Sequence, residues 1–429
     1  MKLKLTNCRL ADADRQGLYD VTLENGGVAG VTESGADNGD SLSHAVDCHG
    51  FFLLPGLVDL CCEVCVPGYE HREDIITLSR AAAKGGYTSL ACLPNTRPAV
   101  DDNTVVSYLL NRGGREALIR IYPYGGMTIG GLGERISEIG EMVRAGIIGL
   151  HDGGRSVMDA SLLAHIFTYA SMFSLPVITS CCDEQLAASG VMNQGRMSVA
   201  LGLRGIPAEA EDVITARNLI LARQTNTRLH ITNVSTAGSV GLIRQAKKQG
   251  EGVTCDTCPH YFTLTEDACD GFNTLAKVRP PLRGQRDVEA VAEGLYDGTI
   301  DAISSGHSPQ TPEAKQTEFD RAAFGISSLE TAFVVSYNAL VTTGILSLEE
   351  LARKMSAAPA VILGLAGKGK VEEGAVADLF LWNPEAEGVI DSSRFASKAK
   401  ISPYQGLWRK GRVEMTLAEG LEVFLETRN

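Results

Sequence analysis

Aromatic side chains are scarce in this 429-residue chain, at 6% of positions, and no long uninterrupted apolar run occurs. The longest apolar region, LLAHIFTYASMFSLPVITSCC, is broken by His165, Ser171, Ser174 and Pro176. It reads as a core helix followed by a buried strand, which excludes a membrane span there. The N-terminal stretch MKLKLTNCRLADADRQG lacks the apolar centre of a secretory signal. Basic stripes are missing too: the formal net charge is −13, and KGKVEEG at 368–374 is short and mixed in sign. Binding to a phosphate backbone rests on clustered Lys and Arg, so no nucleic-acid partner is expected. Fixed-period repeats, low-complexity tracts and long linkers are also absent.

What remains is the composition of a globular protein, long enough to bury one large α/β domain beside a smaller one. Eleven cysteines without a secretion signal predict reduced thiols and a cytoplasmic location. Eight short apolar runs recur, separated by helix-like sequence. They are FFLLPGLVDL (51–60), YTSLACLPNT (87–96), IRIYPYGGM (119–127), GIIGLHDGG (146–154), LPVITSCCDE (175–184), RLHITNVST (228–236), GVTCDTCPH (252–260) and IDAISSGHS (300–308). Such alternation implies parallel strands covered on both faces, and eight units predict a (β/α)8 TIM barrel over residues 55–367. Residues 1–54 and 368–429 carry short alternating segments such as KLKLTNCRL, YDVTLEN and VADLFLWNP. They predict antiparallel β-structure, with both termini joining in one small β-sandwich domain.

Barrel chemistry sits at the C-terminal strand ends. In chain order those tips offer Cys61 and Glu63, Asn95, Tyr124, His151 with Asp152, Ser180, Cys182 and Asp183, Asn233, His260, and Gly306 with His307. A hydrolytic metal centre wants several His or carboxylate ligands and an open position for water, and these tips converge poorly on that pattern. Several readings stay open. Cys61, Glu63, Cys65, Cys182, Asp183, His151 and Asp152 could form a thiolate–carboxylate metal site. Alternatively, Cys61 and Cys62 fill small apolar gaps while Glu63 is solvated at a cleft mouth. Cys61 or Cys182 could act as a nucleophile with His151 or His307 as base. Cys255 and Cys258 form a lone C-x-x-C whose members point to opposite faces of a strand. Arg279 and Asn95 could hold a small anion. In EHRED, Glu70, Glu73 and Asp74 suit a helix N-terminus through its dipole.

Nearly end to end, the chain resembles the bacterial class of dihydroorotases within the amidohydrolase superfamily. The matching stretches are PGLVD at 55–59, PGYEHREDI at 67–75, AAAKGGYTSLACLPNTRPAVDD at 81–102, DGGRSVMDASLL, GVMNQGRMSVALGLRGIPAEAE, VSTAGSVGLIRQAK, KVRPPLR, FGISSLETA and GKVEEGAVADLFLWNP. The resemblance implies the same barrel and β-sandwich. It also implies a zinc centre, and here the residues depart from the family pattern. Where that family has D-L-H-x-H-x-R, with two zinc-binding histidines and a substrate-gripping arginine, this chain keeps Asp59 and Leu60 but has Cys61, Glu63 and Cys65. A ligand aspartate is replaced by Gly153 after Asp152, and the fifth-strand histidine and the acidic residue two positions on become Ser180 and Cys182. The sixth-strand histidine becomes Asn233, the catalytic aspartate Gly306, and the asparagine of N-P-P Arg279; Asn95 and His307 remain.

Bound zinc lowers the pKa of water from about 15.7 to about 7. That is on the order of 12 kcal/mol of acidity, which one stray thiol or carboxylate does not replace. The expectation from these losses is a catalytically silent dihydroorotase homologue with no metal and no catalytic residues. Its residual pocket would be made of Cys61, Glu63, Cys65, Asn95, Asp152, Ser180, Asn233, Arg279 and His307. The resemblance further implies a homo-oligomer serving as an assembly partner of aspartate carbamoyltransferase in pyrimidine biosynthesis. Two other readings stand beside it: an active cyclic-amide hydrolase with an unconventional Cys/Glu/Asp site, and a small-anion-binding regulatory protein.

Overall fold

The structure, a computed structural model, describes residues 2–11, 17–35 and 45–426. The terminal segments build one small domain. Strands β1 (Lys2–Leu10), β2 (Tyr19–Glu24), β3 (Gly27–Glu33), β4 (Ala45–Asp47) and β5 (Phe52–Pro55) come from the N-terminal part. The C-terminal part supplies β17 (Leu379–Val389), β18 (Trp408–Ala418) and β19 (Leu421–Leu425), and the strand order is β19-β18-β17-β5-β1-β2-β3, with β4 also on β1. Strand β1 serves both halves of the sandwich. Its first residues pair with β2 and β4, and Arg9 and Leu10 pair with β5. The register shifts between Leu5 and Cys8, where Asn7 adopts a φ of 58°, as expected of a bulge that turns a strand from one sheet to the next. The pairings of β1 with β4 and β5 are parallel, unlike the antiparallel arrangement expected throughout, because those strands return from long connections rather than hairpins. Leu5, Val21, Leu53, Leu379, Leu381 and Met415 fill the space between the halves.

Eight strand positions close the barrel: β6 (Leu57–Cys62), β7 (Tyr87–Cys92), β8 (Arg120–Pro123) continued by β9 (Gly125–Gly126), β10 (Leu150–His151), β11 (Val177–Ser180), β14 (Leu229–Thr232), β15 (Thr254–Thr257) and β16 (Ala302–Ile303). All their recorded pairings are parallel. A short extra pair, β12 (Met192–Asn193) and β13 (Gly205–Ile206), lies outside the ring. The last strand meets the first through a bridge between Cys62 and His307, and the Glu63 N–H donates to the His307 carbonyl at 2.9 Å. The apolar run 51–60 is divided between domains. Its first half, β5, pairs with β17, and its second half, β6, enters the barrel. Gly56 makes this crossing possible, since a Cβ there would lie 2.4 Å from the Thr88 side chain.

The helix at Ile75–Lys84 starts with a capping box between Asp74 and Thr77, and Lys398 reaches Asp74 at 2.5 Å. Only Asp74 of the EHRED acids performs the expected end-capping. Glu70 accepts from the Gly68 N–H at 3.0 Å, and Glu73 is fully buried against Thr77, Ser397 and His307.

An aromatic stack joins the barrel to the small domain. Phe333 packs edge-on against Phe380 and Trp382 at 5.0 and 4.8 Å, and Tyr337 lies 5.1 Å from Trp382. Truncating the fully buried Trp382 to alanine is expected to cost about 3–5 kcal/mol, measured as a lower denaturation midpoint in urea.

Candidate active site at the barrel mouth

The C-terminal strand ends surround a cavity of about 210 Å³. Seven of the nine residues expected to form a pocket line it: Cys61, Glu63, Asn95, Ser180, Asn233, Arg279 and His307. Two do not. Cys65 lies 2% exposed in the turn after β6, with φ at 59° and its carbonyl bound by the Tyr69 N–H. Asp152 is spent on the backbone, accepting from the N–H groups of Ser180 at 2.7 Å and Gly154 at 3.1 Å, which ties β10 to β11.

The floor is a chain of uncharged contacts. Asn233, held at φ 60° just beyond β14, donates to Cys61 Sγ at 3.3 Å and accepts from Cys258 Sγ at 2.8 Å. Burial, with the carboxylates of Asp256 and Asp59 nearby, pushes the Cys61 thiol far above its ordinary value. Burial does the same to Cys258, aided by Cys61 and Asp256. Both thiols therefore stay protonated near neutral pH in the metal-free chain. Cys182 is raised by burial as well, although the adjacent Arg279 works against this. Cys61 Sγ is bonded to Asn233 and Cys182 Sγ to Arg279, and neither is hydrogen-bonded to His151 or His307, the bases a cysteine nucleophile would need.

Glu63 is clamped rather than freely solvated: Arg72 Nη2 lies 2.5 Å from one carboxylate oxygen, and Ser308 Oγ donates to the other at 2.6 Å. The imidazoles are committed in a specific way. His151 Nδ1 accepts from the Gly153 N–H at 2.9 Å and His307 Nδ1 from the Ser328 N–H at 3.2 Å. In each neutral ring the proton then sits on Nε2, so neither lone pair is open to a metal or a substrate proton. Burial pushes the His260 pKa down to about 3, leaving it neutral.

The zinc implied by the family resemblance does not fit this donor set. Ser180, Asn233 and Gly306 offer no anionic ligand, Cys61 and Cys258 are tied to Asn233, and Glu63 is paired with Arg72. Among the described residues, no three His, Cys, Asp or Glu side chains converge on a point that could hold a metal ion. At position 306 the space itself has been reassigned. Gly306 has φ 63°, and a Cβ there would lie 2.6 Å from Cys258 Sγ and 3.0 Å from His260 Cε1.

Cys258 is therefore a site residue that the sequence reading placed elsewhere. The C-x-x-C spacing was taken as lying within one strand, but β15 ends at Thr257 and Cys258 opens the helix Pro259–Thr263. Arg283, in KVRPPLR, also lines the mouth. It bonds to Asn193 Oδ1 at 3.1 Å and Ser235 Oγ at 3.1 Å, and lies 3.5 Å from Glu211. A buried arginine bracketed by strand tips would have been visible only from the fold.

The barrel with its two-ended β-sandwich and polar mouth is that of an amidohydrolase-superfamily protein. The L-hydantoinase (dihydropyrimidinase) of Arthrobacter aurescens superposes with a TM-score of 0.89 at 26% identity, covering 99% of this chain and 96% of its own. A dihydropyrimidinase from Brevibacillus agri has the same fold, with a TM-score of 0.85 at 21% identity, covering 99% of this chain and 95% of its own. A family profile described as Dihydro-orotase-like matches residues 50–239. The protein named dihydroorotase in Acetivibrio thermocellus is 45% identical over 410 residues, covering 96% of this chain and 95% of the relative. Its namesake in Ruminiclostridium cellulolyticum is 45% identical over 425 residues, covering 99% and 98%. The chain belongs to the dihydroorotase family.

These relatives overturn the expectation of a catalytically silent homologue. Proteins named dihydroorotase match this chain at about 45% identity almost from end to end, which favours the reading of an active cyclic-amide hydrolase. The silent reading rested on departures at a few strand-tip and loop positions. Similarity instead runs over almost the whole chain, and a cavity lies at the barrel mouth.

Two outcomes follow from this geometry. Protein incubated with zinc and desalted is expected to retain well under one zinc per chain by elemental analysis; a stoichiometric ion would contradict the donor-set argument. Gly306→Asp is expected to lower thermal stability through its clash with Cys258. Cys258→Ala in the same chain should restore part of it, with a coupling of about 1 kcal/mol or more in the double-mutant cycle.

Proposed function

We propose that the protein is a cyclic-amide hydrolase of the dihydroorotase type, opening a dihydropyrimidine ring to its N-carbamoyl amino acid at the barrel mouth. The observation that carries this reading is the 45% identity, over 96% of the chain, to a relative named dihydroorotase. The open cavity at the expected end of the barrel supports it. Among the groups of the unconventional site, Cys61 and Asn233 form an uncharged surface suited to the face of a flat amide ring, with Cys258 buried behind them. Asn95 and Arg279 supply polar contacts on the wall.

Glu63 is the proton acceptor in this reading. It is a carboxylate on the cavity wall, and Arg72 and Ser308 fix its orientation. It takes a proton from the attacking water as the oxygen bonds to the ring carbonyl carbon. It then returns that proton to the ring nitrogen as the C–N bond breaks, so the carboxylate is regenerated. Ring opening exchanges one water for one amide bond and needs no oxidant or reductant.

The test is interconversion of dihydroorotate and N-carbamoylaspartate by the purified chain, followed by ultraviolet absorbance and chromatography. Measurable turnover is expected in both directions, with Glu63→Gln lowering kcat by about 10²-fold or more. Absence of turnover in both directions would sink the proposal. Turnover that survives Glu63→Gln would remove only the role given to Glu63.

A further inference from the structure

A second cavity, of about 250 Å³, lies between the barrel and the small domain. Lys84 and Gly85 line it just ahead of the start of β7, so it sits at the N-terminal end of the barrel, away from the mouth. Four basic side chains border it: Lys84, Arg394, Arg409 and Arg412. Two of these are engaged elsewhere. Lys84 pairs with Glu330 at 2.8 Å, and Arg412 with Glu414 at 2.8 Å. Arg409 donates through Nη1 to the carbonyl of Gly411, two residues along its own strand. Among the described residues, neither Arg394 nor Arg409 forms an ion pair with a carboxylate.

Two of the three acids bordering the same space are directed elsewhere. Glu330 also accepts from the Ala396 N–H at 2.7 Å, and Asp391 from the N–H and Oγ of Ser393 at 3.1 and 2.7 Å. Glu426 stands 4.0 Å from Arg412 Nη1. Trp382 is fully buried on the wall, with its indole beside Tyr337. Burial and the like charges of Arg412 and Arg394 push the Arg409 guanidinium below its ordinary value, although the carboxylates of Glu426 and Glu414 work against this. Guanidinia without a carboxylate at ion-pair distance keep donors for which an oxyanion supplies acceptors.

We propose that this cavity binds a small phosphate-bearing anion, held by Arg394 and Arg409. It is separate from the barrel mouth, so its occupancy does not depend on the reaction assigned there.

The two tryptophans of the chain report on it directly. Trp382 lines the cavity, and Trp408 precedes Arg409. Inorganic phosphate and uridine 5′-monophosphate are titrated separately into the full chain at low salt, following tryptophan emission, with equilibrium dialysis of labelled ligand as a second readout. Saturable binding is expected, weakened at least fivefold by Arg394→Gln and by Arg409→Gln, and weakened by added potassium chloride. Arg394 is exposed and free of ion pairs, so its replacement leaves the fold intact even if the Arg409 variant does not fold. Tenfold tighter binding of the nucleotide would identify a phosphorylated metabolite as the occupant, and equal binding would identify phosphate itself. No saturable binding by either readout, or binding that Arg394→Gln leaves unchanged, would overturn the proposal.

Discussion

The mouth of this barrel depends on the buried carboxyl of Asp59. It accepts from the N–H of Ser305 at 2.7 Å and from the Ser305 hydroxyl, and so pins the first barrel strand to the segment leaving the last. It also faces the Cys61 N–H at 3.5 Å, which sets the direction in which the strand tip leaves the ring. Burial pushes its pKa up to about 6 although the bonds from Ser305 pull it down. The cost of holding this group out of water is offset by closing a ring that otherwise has an open seam between Cys62 and His307.

From that closure follows the character of the site. With the seam shut, Cys61 on the cavity floor and Cys258 sealed beneath it remain thiols. Asn233 can satisfy both because its amide offers a donor on one side and an acceptor on the other. The charged groups around the mouth, Glu63 with Arg72, Arg279 with Glu184 at 2.7 Å, and Arg283 with Glu211, are each balanced by a partner within the protein. A cavity of this kind discriminates by shape and hydrogen bonding more than by net charge. It also explains why a donor set able to hold zinc is missing. Ligand anions would need to be unpaired and deprotonated, and here they are paired or buried as acids.

Much of the architecture was legible in the residue order. Eight apolar runs separated by helix-like sequence correspond to the barrel strands, and the alternating segments at both ends form the small domain. The exceptions are physical. The run 51–60 shows no break in hydrophobicity, yet Gly56 lets the chain pass Thr88 closely enough to move from one sheet to another. The parallel placement of β4 and β5 against β1 is decided by long connections that leave no local signal. At the site, Cys61 and Asn233 could be placed at strand tips by counting, whereas Arg279 came only from the family resemblance. Cys65 and Asp152 were expected in the pocket but do not line it, because a left-handed turn removes one and a backbone clamp consumes the other. Cys258 was missed because the strand ended one residue sooner than its spacing suggested.

By itself, the sequence determined the succession of strands and helices, the two-ended small domain, the family to which the chain belongs and the loss of histidines from the strand tips. Those properties are local or additive, carried by periodicity and by residue identity at each position. Only the tertiary structure decided how the replacements act together. The contact between Cys258 and the space above Gly306, the sharing of Asn233 between two thiols and the meeting of Arg394, Arg409 and Trp382 all join residues distant in sequence. Their protonation and bonding are set by burial and by neighbours that only folding brings within a few ångströms.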